Sequence, residues 1–385
     1  MHILSFKPEY ILYFYMVNCV AVLVFNIMYI FIDRYKGKKI ERRSLEMVGQ
    51  IETQIENLAM GGRVEEKHLG FLVRSMKKLE KMRAFEHSME EVMTKEHDSV
   101  SPENVVRYLQ GLRTVFIELA GWYEKRDKIE QAYFSSLIKK FEIDKGHSSY
   151  DGIMDFLDKM VIKEDVYVRE NALKALYSIG NEEAVLTAWE RMEANKIYHN
   201  QKLLADGLLS FNGNREELAR HLWSRREEFD VMLVLPVMQF IRFFSGNFCG
   251  EFLEVMKKET EDKELRLEAI RYLRRYPDKR AREELQKFLL YQEYIDWEYA
   301  AMAASALTMY PGTDTVACLK EGLGAANWYV RLNCAEALIH GMKLPKWQLY
   351  DVYNGSDRYA REILDYVTEK SEIQMQEMEL NKRNV

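Results

Sequence analysis

Asp165-Val166-Tyr167-Val168-Arg169-Glu170-Asn171-Ala172-Leu173-Lys174-Ala175-Leu176 places a helix-capping acid first, then an apolar residue three positions on, a basic residue four on, a small residue seven on and leucine eleven on. The template starts again at Tyr198, Asp230, Asp262, Asp296, Asn327 and Asp357, at spacings of 33, 32, 32, 34, 31 and 30 residues. Offset seven reads Ala172, Ala205, Val237, Ala269, Ala303, Cys334 and Leu364; offset eleven reads Leu176, Leu209, Ile241, Leu273, Leu307, Leu338 and Thr368. Offsets three, seven and eleven share one helical face, so this stripe is expected to be buried. A glycine or proline follows each start by 14 to 16 residues (Gly180, Gly213, Gly246, Pro277, Pro311 and Gly341) and ends each helix.

After each breaker a second amphipathic stretch follows, as at Arg215 to Glu227 with Leu218 and Leu222, or Arg280 to Tyr291 with Leu285 and Leu289. Two helices per roughly 32 residues define an α-solenoid, in which one hairpin cannot bury its apolar face alone and stacks on its neighbours. The run at Asp165 to Leu176, with its copies at Asp262 to Leu273 and Asn327 to Leu338, resembles HEAT repeats of the short kind also found in phycobilisome-lyase-type proteins. The likeness extends over Glu164 to Tyr366. It implies that the repeated helix lines a concave side and that cap acid and basic residue form a ladder between units, at Asp165, Arg169, Asp262, Arg266, Arg331, Asp357 and Arg361. The basic residue is missing at Val234 and Ala300, and Pro236 lies inside the template, where the array is expected to bend or loosen.

Towards the amino terminus, Tyr10 to Ile32 is a run of 23 residues without a charge. As a helix it spans roughly 34 Å, enough for a hydrocarbon core of about 30 Å. Tyr10, Tyr13, Tyr15, Tyr29 and Tyr35 suit the two interfaces. A cleaved signal peptide would set its positive charges before a shorter apolar run, with small residues after it. Here the charges follow, as Arg34, Lys36, Lys38, Lys39, Arg42 and Arg43, and they also suit contact with anionic headgroups. The positive-inside rule then predicts a single pass at the cell membrane, with residues 1–9 outside and the repeat body cytoplasmic. Asn18 and Asn26, eight apart, share a face on which helix association is one expectation.

Between span and repeats, apolar spacing predicts helices over Ile40–Met60 and Val64–Thr94, and Ser101-Pro102-Glu103 opens a third running to Tyr123. Lys128–Phe141 and Tyr150–Met160 form a degenerate pair leading into the repeats. The expected organisation is a tail (1–9), a transmembrane helix (10–32), a basic segment and helical connector (33–125), the repeat array (126–368) and a charged tail (369–385). The fold class is all-α: an α-solenoid of HEAT-like hairpins preceded by one transmembrane helix.

A net charge of −6 removes the global attraction that non-specific nucleic-acid binding needs. Four cysteines stand in no ligand spacing, eight histidines are dispersed, and no phosphate-binding or nucleophile motif occurs. No catalytic, cofactor-binding or metal residue is therefore assigned, and no cofactor is expected. Offset five carries Leu203, Leu235, Leu267, Ala301 and Leu332, flanked at offset two by Tyr167, Met232, Tyr329 and Tyr359. If open, this face is an apolar groove with an aromatic rim for a partner helix or extended peptide; packing between neighbouring units is the other outcome. The function expected is a membrane-tethered cytoplasmic scaffold or regulatory subunit for a protein partner, such as a membrane-bound glycosyltransferase. The alternative is an enzyme on the same scaffold, DNA-glycosylase-like or lyase-like.

Overall fold

A computed structural model describes residues 8–94, 101–147, 149–291 and 295–383. Residues 1–7 of the expected outer tail, and the side chains of residues 8–12 (Tyr10 among them) and of Lys36, lie outside the described residues, as do the side chains beyond residue 370 of the carboxy-terminal tail. The described residues form twenty α-helices and no strand, an all-α solenoid fold. They group into two compact units, Met1–Arg191 and Met192–Val385.

The first unit opens with α1 (Pro8–Ala59), followed by α2 (Glu66–Met76), α3 (Leu79–Thr94), α4 (Pro102–Gly111), α5 (Arg113–Tyr123), α6 (Lys128–Lys140), α7 (Gly152–Met160) and α8 (Val166–Ile179). At 52 residues α1 is about 78 Å long, and it carries the apolar run and the first connector helix without a break. It is the one helix among the described residues long and apolar enough to cross a membrane, with a mean hydropathy of 2.1 and none of that window buried. Asn18 donates to the Phe14 carbonyl at 2.8 Å, so its amide already has a partner one turn back in its own helix. Further along, α1 enters a core: Met47, Val48, Ile51, Ile55 and Leu58 are buried where it packs on α3 and α4.

Two expected helices are each divided. The stretch from Val64 breaks at Lys77–Lys78, where the Met76 carbonyl is taken by the Tyr123 hydroxyl. The stretch from Pro102 breaks at buried Leu112, just after Gly111, where a Cβ would come within 2.9 Å of Val64. Close tertiary approach ends both helices, and helical periodicity carries no sign of it. In this unit α6 packs along α8, and α8 closes at Gly180, whose φ of 80° suits a residue without a Cβ.

Helix α9 (Glu182–Asn195) crosses the unit boundary. The second unit continues with α10 (Gln201–Leu209), α11 (Arg215–Ser224), α12 (Val231–Phe244), α13 (Cys249–Lys257), α14 (Lys263–Arg275), α15 (Arg282–Leu290), α16 (Trp297–Leu307), α17 (Thr313–Gly322), α18 (Trp328–Glu336), α19 (Tyr350–Tyr353) and α20 (Arg358–Arg383). Alternate helices stack: α10 on α12, α12 on α14, α14 on α16, α16 on α18 and α18 on α20. The stripe explains why. Val237, Ile241, Ala269, Leu273, Ala303, Leu307, Cys334, Leu338 and Leu364 are all buried. Burying each valine, leucine or isoleucine of this stripe contributes about 1.5–3 kcal/mol, and the stacked neighbours supply that burial.

The unit expected from Tyr198 is shifted. Its cap is Asn200, which accepts from the amides of Lys202 and Leu203, and its buried residues are Leu204, Ala205 and Leu208, with Leu209 only half-buried. A short amide side chain caps a helix where a tyrosine cannot. Pro236 does not interrupt α12, which runs through it with the ring buried.

Candidate functional site

The first turns of the repeated helices set the site. Asp165, Asp230, Asp262, Asn327 and Asp357 each accept one or two amides of their own helix, satisfying donors left free at a helix start. The expected ladder from cap acid to basic residue does not form. Arg169 instead donates to the Lys163 and Glu164 carbonyls at 2.7 and 2.8 Å, Arg331 to those of Ala325 and Ala326 at 2.6 and 3.1 Å, and Arg361 to that of Gly355. Arg266 takes the Met256 carbonyl at 3.1 Å. Each guanidinium closes the turn that leads into its own helix, because a fork of donors satisfies the carbonyls left over where the previous segment ends. Units are linked by lysines one position after the cap: Lys128 pairs with Asp165 at 3.2 Å, and Lys263 with Asp296 at 3.0 Å and Glu298 at 2.9 Å.

The groove expectation is corrected in part. Leu235 and Leu267 are 6% and 4% exposed and Ala301 is also buried, because offset five turns into the packing between successive repeated helices. Leu332 is half-buried and Leu203 is exposed. No continuous leucine groove is open in the second unit. Offset two behaves differently: Tyr167 in the first unit, and Met232, Tyr329 and Tyr359 in the second, are exposed.

In the second unit the exposed side chains connect. Trp297 stacks on Tyr329 at 5.2 Å between ring centroids, Tyr329 meets the edge of Trp328 at 5.1 Å, and Trp328 meets Tyr366 at 6.4 Å. The Arg331 guanidinium lies 5.4 Å over Tyr359. The result is an aromatic rim along the first turns of α16, α18 and α20, extended by Tyr366 two turns into α20, in which every ring keeps 39% or more of its surface in solvent. Trp297 and Trp328 were not singled out from sequence; they occupy offset one of the same template, the position that would have revealed them.

Buried acids define the other charged features. Glu268, 1% exposed, accepts from Arg242 of α12 and, at 3.1 Å, from Arg271. In the first unit, Asp158 accepts from the Tyr150 hydroxyl at 2.5 Å while its other carboxylate oxygen has no partner. Burial pushes the Asp158 carboxyl up to about 7, against the opposing pull of Tyr150 and Arg191. Its ionised form is favoured in the unfolded chain, so its contribution is complete below the usual aspartate range and is lost as pH rises towards 7. Between pH 5 and pH 8 the protein should lose about 2–3 kcal/mol of stability through this residue. Denaturant titration at the two pH values should show the loss in the parent and not in Asp158→Asn. Among the described residues no group of three or more His, Cys, Asp or Glu side chains could hold a metal ion.

Residues 251–339, from α13 into the turn that ends α18, match the family model of HEAT repeats, and with the all-helical architecture this supports a HEAT-repeat family. No curated protein matches the chain.

Proposed function

We propose that this chain is a membrane-tethered scaffold or regulatory subunit that holds a protein partner against the aromatic rim of its second unit. The observation that carries the proposal is the exposed set Trp297, Tyr329, Trp328 and Tyr366 beside Arg331, all of them residue types that dominate protein–protein hot spots. HEAT-repeat families are typically non-catalytic scaffolds, which agrees with that use. The apolar part of α1 supplies the tether, and the basic residues after Ile32 favour a cytoplasmic repeat body with the short amino-terminal segment outside. Confinement to the bilayer raises the effective concentration for partners that are themselves membrane-bound. A membrane enzyme such as a glycosyltransferase fits that requirement. The likeness to short, phycobilisome-lyase-type units belongs to this proposal as a likeness of repeat form alone.

A photo-cross-linking amino acid at Tyr359 in living cells, followed by mass spectrometry, tests this. A discrete adduct with a membrane protein is expected there and none at Lys287, exposed on α15. Absence of adducts at Tyr359, Tyr329 and Trp328 alike would remove the rim as a docking surface.

A further inference from the structure

We infer that the turn between α2 and α3 is a second binding site for anionic lipid headgroups, brought beside the basic end of the α1 span to form one collar at the bilayer surface. The inference rests on the proposed tether and adds the surface that the tether presents to lipid. Residues 33–43 and 74–83 together hold eleven basic and three acidic side chains, a net charge of +8 in a chain whose total is −6. Thirty residues of sequence separate the two segments, yet the fold joins them: Glu80, at the start of α3, pairs with Lys39 at 3.3 Å and Arg43 at 2.8 Å. Arg43 and Lys39 together hold the Glu80 carboxyl below its usual range.

One acid thus serves two cations, while Arg42 and Lys77 reach acids outside the two segments, Glu46 at 3.9 Å and Glu118 at 3.4 Å. Among the described residues Arg34, Lys38, Lys78 and Lys81 make no ion pair. Distance along α1 sets the depth. Lys39 lies seven residues past Ile32, or about 10 Å along the axis, while the headgroup layer of one leaflet extends about 5–8 Å beyond the hydrocarbon. The Glu80 contact with Lys39 and Arg43 thus lies about 10–16 Å past Ile32 along α1, and the proposed collar sets the Lys77–Lys78 turn just before it within reach of the headgroup field. Trp122, 41% exposed, lies 5.2 Å below the Lys77 ammonium and adds a ring of the type that favours the bilayer interface. Tyr123 fixes the end of α5 to this turn through the Met76 carbonyl.

The test uses the full chain in nanodiscs of phosphatidylcholine with and without phosphatidylglycerol. Lysine reactivity towards an amine-specific label is read by mass spectrometry. Labelling of Lys78 and Lys81 is expected to fall about fivefold or more when phosphatidylglycerol is present, and that of Lys287 to stay unchanged. Raised salt should abolish the difference, and so should Arg74→Glu/Lys81→Glu, read at Lys78 with helicity checked by circular dichroism. Equal labelling of Lys78 in the two lipids overturns the collar. A chain that fails to enter either disc overturns the tether instead, and the collar with it.

Discussion

Replacing Trp328 and Tyr329 together by alanine should weaken capture of the partner by roughly a thousandfold while the protein stays folded, because buried aromatic anchors contribute about 2 kcal/mol or more each at an interface. In the free protein both rings are about half exposed, so truncation removes stacking with Trp297 and Tyr366 and little core. Ring pairs of that kind contribute about 0.5–1.5 kcal/mol, a modest loss for a chain of this size. The comparison is Trp347→Ala, an exposed tryptophan outside the connected set, which should leave capture unchanged. Cross-linking yield from Tyr359 and the thermal melt, measured on the same samples, separate loss of docking from loss of fold. Unchanged capture by the double variant would detach the rim from the function proposed for it.

The largest stability effect is expected inside the second unit. Arg242→Met leaves the almost fully buried Glu268 carboxylate with only the partly exposed Arg271, and because a wholly uncompensated buried charge typically costs about 3–5 kcal/mol, a loss at the lower end of that range is expected. Pairing it with Glu268→Met should recover most of that loss, since a buried ion pair replaced whole by well-packed apolar side chains is often close to neutral. Urea unfolding of the detergent-solubilised full chain, run as a double-mutant cycle, reads both numbers. An Arg242→Met variant as stable as the parent would mean that the pair does not join α12 to α14.

What the sequence made legible follows from how far each signal reaches. Cap residues at Asp165, Asp262, Asn327 and Asp357 and the stripe through Ala269, Leu273, Cys334 and Leu338 are local patterns, and the structure places them as the spacing predicts. The shift from Tyr198 to Asn200 shows the limit even there, because a degenerate unit offers two registers and cap chemistry chooses between them. Offset five was undecided for a related reason: Leu235 and Leu267 are covered by the helices packed on α12 and α14, a contact between units that the periodicity of one helix does not record. Arg169 and Arg331 close their own turns, a choice between backbone carbonyl and carboxylate that depends on where the preceding chain runs. Lys77 and Lys78 meeting the basic end of α1 through Glu80 is a long-range contact, and no periodicity records it.

Membrane attachment of the whole, uncleaved chain tests the account most directly. Membranes are washed at alkaline pH and the intact mass of the protein remaining in them is measured. The account predicts an alkali-resistant species that retains residues 10–32 and a fully soluble one when those residues are deleted. Recovery of a shortened mass lacking the apolar run, or release of the complete chain into the wash, would contradict it.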